Sequence, residues 1–190
     1  MAKTPISILA REILQYASNF EQAIEIAKKR EVFVAESIMV GSAEDGSAIL
    51  IEVSPKKFDV FKVENTAELL VCSNHFQSKL YETDKRNLNA IQNSHSQYRF
   101  DRMNELVEKN PPITPKMAAE FLRNQNGLKG QNIGMGNEKS INQLLSHHGV
   151  IFQPEDRLMW VSANPFQLGA FVAYDLDEVF QKMENKYLPI

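Results

Sequence analysis

Apolar positions along this chain follow two rhythms that alternate twice. Ile6, Ile8, Leu9, Ile13, Leu14 and Tyr16 recur at the spacing of one helix face and predict a helix over residues 6–16. Ser18 with Glu21 three residues on is a capping-box signature for a second helix. Lys28, Lys29 and Arg30 fall where the C-terminus of that helix favours cations. The period then drops to two. Residues 34–63 carry β-branched runs broken by Asp45-Gly46 and by Pro55-Lys56-Lys57, which predicts a three-stranded antiparallel meander. The short apolar run "LLVCSNHF", residues 69–76, predicts a strand that delivers Ser73, Asn74 and His75 to its C-terminal end.

Helical spacing returns through Tyr98, Met103, Leu106 and Val107, with Ser94 or Ser96 as the candidate cap. Thr114 before Pro115 opens another helix. "GLKGQNIGMGN" reads as a loop. A hairpin crosses residues 154–157, "GAFVAYDL" reads as a last strand, and Asp175 with Glu178 caps a final helix ending near Lys186. Helices, strands, helices, strands and a helix in that order predict an α+β fold, antiparallel sheets carrying helices on one face. No repeat or linker interrupts the pattern, so residues 1–190 are expected to form a single domain.

Composition narrows the picture little. A hydrophobic fraction of 43% and a net charge of -3 are ordinary for a globular protein, and give no footprint for nucleic acid or an anionic membrane. No apolar run reaches the length of a membrane span, and the first residues lack a signal-peptide core. The single cysteine, Cys72, excludes an internal disulfide. A soluble, cytoplasmic chain is the expectation.

Candidate chemistry starts at Cys72, with Ser73, Asn74 and His75 directly after it. In a strand, residues three apart point to opposite faces, so His75 would not meet the Cys72 thiol. Leu-Leu-Val-Cys instead suggests a buried, inert thiol. His147 and His148 are adjacent, and no ligand spacing or second cysteine supports a zinc site. The Gly-Lys-Gly stretch lacks a phosphate-loop spacing. The lone tryptophan, Trp160, reads as the end of a strand before a proline turn. Arg99 and Arg102 lie three apart on one helix face, near the core side set by Met103 and Leu106. There an arginine needs an anion, and Asp101, Glu105 or Glu108 would serve as an ordinary ion-pair partner.

"AILIEVSPKKFDVFKV", "VCSNHF", "SQYRFDRMNELV" and "NQLLSHHGVIFQPEDRLMWVSANPF", in this order and spacing, resemble the C-terminal part of one family. It is the acyl-coenzyme A:6-aminopenicillanic acid acyltransferase-like family of N-terminal-nucleophile hydrolases, related to bile-salt and penicillin V amidases. The most specific pieces are Asn-His-Phe and the Ser-x-x-Arg-x-x-Arg start at Ser96, Arg99 and Arg102. The resemblance implies an incomplete four-layer αββα sandwich with an uncovered apolar face. It implies acyl transfer or amide hydrolysis through a thiol at a chain N-terminus, freed by self-cleavage, with its own α-amine as base and no cofactor. Asn74 then matches an oxyanion donor and Arg99 the arginine beside the nucleophile, with Arg102 the second choice. His75 and Arg102 are the expected substrate contacts. Cys72 is not the matching nucleophile, because no Gly-Cys cleavage site exists here, and Ala2 follows Met1.

The sequence therefore admits three functions. The chain is the C-terminal portion of an acyltransferase or amidohydrolase that works with an N-terminal half or a nucleophile-bearing chain on a small-molecule acyl amide or acyl-CoA. Alternatively it is a non-catalytic binding or assembly protein, self-associating or partnered. The third reading is a cysteine hydrolase using Cys72 with His75.

Overall fold

The computed structural model of the protein describes residues 3–63 and 69–186. The chain folds into two compact units, divided between Phe100 and Asp101.

The first unit opens with α1 (Ile6–Tyr16) and α2 (Phe20–Lys28). The cap of α2 sits one residue later than expected. Asn19, not Ser18, is the capping side chain: it accepts from Gln22 N at 3.1 Å, and Gln22 Oε1 accepts from Ser18 N at 2.8 Å. The pair departs from a capping box in that the return bond from Gln22 goes to Ser18 N, one residue before the cap. The meander follows as β1 (Glu36–Ser42), β2 (Ser47–Ser54) and β3 (Lys57–Lys62), antiparallel in that order. Gly46 turns the first hairpin at φ 60°, a conformation that suits glycine.

Strand alternation splits the meander into two faces. Ile49, Ile51 and Val53 of β2 pack with Leu9, Ile13, Ala23 and Ala27 of the helices into the core of this unit. Ile38, Val40, Phe58 and Val60 pack against them from the neighbouring strands. Leu50 and Glu52 face the other way and are also fully buried.

No strand forms over residues 69–76. The expected strand is replaced by an irregular segment that runs into a single 3-10 turn, Lys79–Tyr81. Side chains from elsewhere take over the hydrogen bonds that a sheet ladder would supply. Next comes α3 (Lys85–Asn93), capped by Asp84, which accepts from Arg86 N and Asn87 N. The apolar pattern did not announce this helix. The helix predicted around Tyr98 is α4 (Ser96–Glu108), and it spans the division between the units.

The second unit contains α5 (Pro115–Leu122), with Thr114 accepting from Met117 N as expected. It also holds a second antiparallel meander, β4 (Val150–Gln153), β5 (Leu158–Ser162) and β6 (Phe171–Asp175). The hairpin crosses residues 154–157 as the sequence predicted. Asp175 accepts from Asp177 N and Glu178 N to start α6 (Leu176–Lys186). Ala119 and Arg123 share a hollow with Ile151, Trp160 and Phe171, so α5 lies against one sheet face. On the other face Val150, Val161 and Val172 stand in register, as do Phe152, Met159 and Tyr174. Phe152 is 58% exposed and Tyr174 42%, so this is an apolar face open to solvent. The fold is α+β with two three-stranded antiparallel sheets.

Candidate functional site

The segment after Val71 is positioned by its neighbours rather than by a ladder. Ser73 Oγ donates to the carbonyl of Ser96 at 3.0 Å. The His75 ring is buried, its Nδ1 2.8 Å from Ser96 Oγ, and it meets Phe100 edge-to-face at 5.3 Å. Ser96 is the first residue of α4 rather than its cap, and its hydroxyl serves Ser73 and His75 instead. The hydroxyl of Ser94 accepts from Ser96 N. Phe76 and Asn87 bond reciprocally, Phe76 N to Asn87 Oδ1 at 2.8 Å and Asn87 Nδ2 to Phe76 O at 3.0 Å.

This arrangement brings two of the expected residues together. Arg99 Nη2 donates to Asn74 Oδ1 at 2.6 Å. The bond takes up the acceptor end of the Asn74 carboxamide. The end that remains is Nδ2, a two-proton donor. Asn74, Ser73 and His75 line a cavity of about 750 Å³ in the first unit, walled on the apolar side by Phe76 and Tyr81. Lys56, Lys57, Lys85 and Arg86 bring four positive charges to its lining, against Glu36 and Asp84. Lys57 pairs with Asp84 at 2.5 Å, which holds that carboxyl below the usual carboxylate range.

Cys72 stands beside this segment with its thiol pushed up to about 11, mainly by burial and then by the charge of Glu52. A thiol so protonated is a poor nucleophile at neutral pH. His75, three residues on, turns its Nδ1 to Ser96.

Arg102 belongs to the second unit. It is 6% exposed and is held by Glu105 at 2.7 Å and by Asn124 at 3.2 Å. Glu105 in turn binds Lys109 and the backbone N–H of Lys129, and its carboxyl is held down at about 2. Of the ordinary ion-pair partners foreseen for this arginine, Glu105 is in contact with it. His147 and His148 lie in irregular chain rather than in a strand. Among the described residues no group of three or more His, Cys, Asp or Glu is placed to hold a metal ion. Nor is any described helix long and apolar enough to cross a membrane.

The family model of the acyl-coenzyme A:6-aminopenicillanic acid acyl-transferases matches residues 1–166, most of the chain and all of the segment that carries Asn74 and Arg99. The chain belongs to this family. No curated protein matches it. Family membership gives the Asn74–Arg99 contact a context of acyl-transfer or hydrolase-type chemistry.

Two participants escaped the sequence reading. Asn87 clamps Phe76 from α3, and its signal was Asp84 at cap distance before a polar helix. Glu52 grips the residues after Phe76. Its signal was a single acid inside the apolar run "AILIEV".

Proposed function

We propose that this chain supplies the oxyanion and substrate contacts of an acyl-transfer or amidohydrolase site acting on amide or thioester bonds. The attacking thiol belongs to an N-terminal cysteine outside these 190 residues, on a partner segment or chain. The supporting observation is the Arg99–Asn74 bond at the cavity wall. It orients the carboxamide so that its N–H donors are available to an oxygen that gains charge in the tetrahedral intermediate. The arginine brings a fixed positive charge to the same place. His75 lines the cavity as a substrate-side wall. A substrate-binding part for Arg102 requires its guanidinium to leave Glu105.

In the acyl step, the external thiolate adds to the substrate carbonyl and the electron pair moves onto oxygen. Asn74 Nδ2–H stabilises that oxyanion. Collapse expels the amine or thiol leaving group, which takes the proton that the nucleophile's own α-amine had removed from the thiol, and leaves an acyl-thioester on the partner cysteine. Water or an amine then takes the acyl group by the same addition and collapse.

The protonated state of Cys72 supports this reading over a hydrolase that uses Cys72 with His75. The test is turnover of penicillin V, a bile-salt amide and a phenylacetyl thioester. The chain is assayed alone, and then co-expressed with the N-terminal segment of a family relative that bears an N-terminal cysteine. The expected result is no turnover alone and thiol-dependent turnover together. Turnover by the chain alone that disappears in Cys72→Ala would overturn the proposal. Binding of these compounds without turnover in the reconstituted complex would favour the non-catalytic alternative.

A further inference from the structure

We infer that Glu52 is a positioning residue for Asn74, the tie that fixes the Asn74-bearing segment to the central strand of the first sheet. The inference rests on the reading of Asn74 given above. Glu52 lies on β2, on the face opposite the helix-packed core, and is fully buried. A buried carboxylate is costly unless its oxygens are satisfied. Glu52 makes no ion pair with any described residue. Its partners are two successive backbone N–H groups instead: Gln77 N reaches Oε1 at 2.7 Å, and Ser78 N reaches Oε2 at 2.9 Å. Ser37 Oγ approaches Oε1 at 3.4 Å from the adjacent strand.

The chemistry of this pair of donors is restrictive. Two consecutive N–H groups, each aimed at its own oxygen, need a side chain with two acceptors and no donor. A carboxylate meets that need. A carboxamide would set its own N–H against one of the two. Asp59 stands opposite Glu52 in the β2–β3 register, and its Oδ2 accepts from Leu80 N at 3.0 Å. Two acids directly across a ladder repel each other. Here both are directed at the N–H groups of residues 77–80, which offsets that repulsion. The device holds the start of the 3-10 turn directly downstream of Asn74, His75 and Phe76. Upstream, Gln77 Nε2 returns to the Val71 carbonyl at 2.7 Å and closes the loop that contains Asn74. Without a strand ladder over this segment, these bonds decide where Asn74 meets Arg99.

The test compares Glu52→Gln with Ile49→Val, a core change on the same strand that touches none of these bonds. Three quantities are read in the intact chain. They are stability in urea, hydrogen exchange at Gln77 and Ser78, and the side-chain carboxamide resonances of Asn74. In Glu52→Gln, exchange at residues 77 and 78 should accelerate on the order of 100-fold beyond what the stability loss accounts for. The Asn74 carboxamide should move toward the shifts of a solvated asparagine. Ile49→Val should show neither effect. Should Glu52→Gln fail to fold, Ser78→Pro serves. Its φ of -72° suits proline, and the change removes the Ser78 N–H, together with the side-chain hydroxyl, while leaving the carboxylate. The same Asn74 signature, weaker, is expected there. Unchanged Asn74 resonances in a folded variant would overturn the inference. These readouts are independent of turnover. If the Asn74 signature appears while Asn74→Ala leaves the reconstituted activity intact, the tie stands and the oxyanion role falls.

Discussion

Arg99 and Asn74 are 25 positions apart in sequence, yet the guanidinium of one donates to the carboxamide oxygen of the other at 2.6 Å. The bond fixes which end of Asn74 accepts and which end donates. It places a charge that never titrates next to a neutral donor, the pairing an oxyanion site requires.

The first prediction follows from that pair. Asn74 is exposed, so its truncation removes little packing. Asn74→Ala in the reconstituted enzyme should lower kcat on the order of 100-fold. Stability should shift by less than about 0.5 kcal/mol, as for other surface changes. Arg99→Lys keeps the charge but loses the planar fork, so it should fall between wild type and Arg99→Ala. Equal kcat values for wild type and Asn74→Ala would remove Asn74 from the chemistry.

The thiol of Cys72 offers a test that needs no substrate. Its value is 9.0 when unperturbed and about 11 in the fold. Alkylation by iodoacetamide at neutral pH should therefore be on the order of 10- to 100-fold slower in the native protein than in denaturant. The native rate should climb with pH past 9. The folded state holds its proton above the pH at which the unfolded chain loses it. This contribution to stability is thus complete below about 9 and fades as pH rises toward about 11. Equal native and denatured rates would mean an open thiol and would return Cys72 to candidacy as a nucleophile.

Acid should act on the second unit through Glu105. Its carboxyl is held down at about 2 by Lys109, then by Arg102 and the N–H of Lys129, against 4.5 when free. As pH falls from 4.5 toward 2, the unfolded chain takes up a proton that the folded chain refuses, so stability falls with pH in that window. Urea midpoints measured between pH 5 and pH 2.5 should converge for wild type and Glu105→Gln. A constant gap between the two across that range would show that Glu105 contributes nothing through its charge.

Much of this fold was legible because periodicity and packing agree where a face is buried. The helix of residues 6–16, the first meander, the 154–157 hairpin, the last strand and the Asp175 cap follow from spacing and turn residues alone. The segment at residues 69–76 was not legible. Its apolar run has the composition of a strand, but its geometry is set by Glu52, Asn87 and Ser96, partners that no local pattern reveals. For the same reason α3 was missed. Its residues are mostly polar, and its one clear mark is the Asp84 cap. Within the site, the pairing of Asn74 with Arg99 came through the family resemblance. The inward turn of His75 depends on the Ser96 hydroxyl, which the sequence offers only as a candidate helix cap.

That hydroxyl supports a last prediction. Ser96 is fully buried, and its Oγ donates to Ser73 Oγ at 3.2 Å while Ser73 donates onward to the Ser96 carbonyl at 3.0 Å. If the Ser96 proton points to Ser73, Ser96 Oγ accepts at its 2.8 Å contact with His75 Nδ1. We predict that arrangement, with the His75 proton on Nδ1 and a chain of donors running His75, Ser96, Ser73, carbonyl. Ser96→Ala breaks the chain at its centre and strands a buried imidazole donor, at a cost of about 1–3 kcal/mol. Urea unfolding should register that loss. Nitrogen chemical shifts of His75 should show the Nδ1-protonated form in wild type and a mixed population in Ser96→Ala. A wild-type His75 protonated on Nε2 alone would reverse the chain, with Ser96 donating to the ring and Ser73 left to the backbone carbonyl.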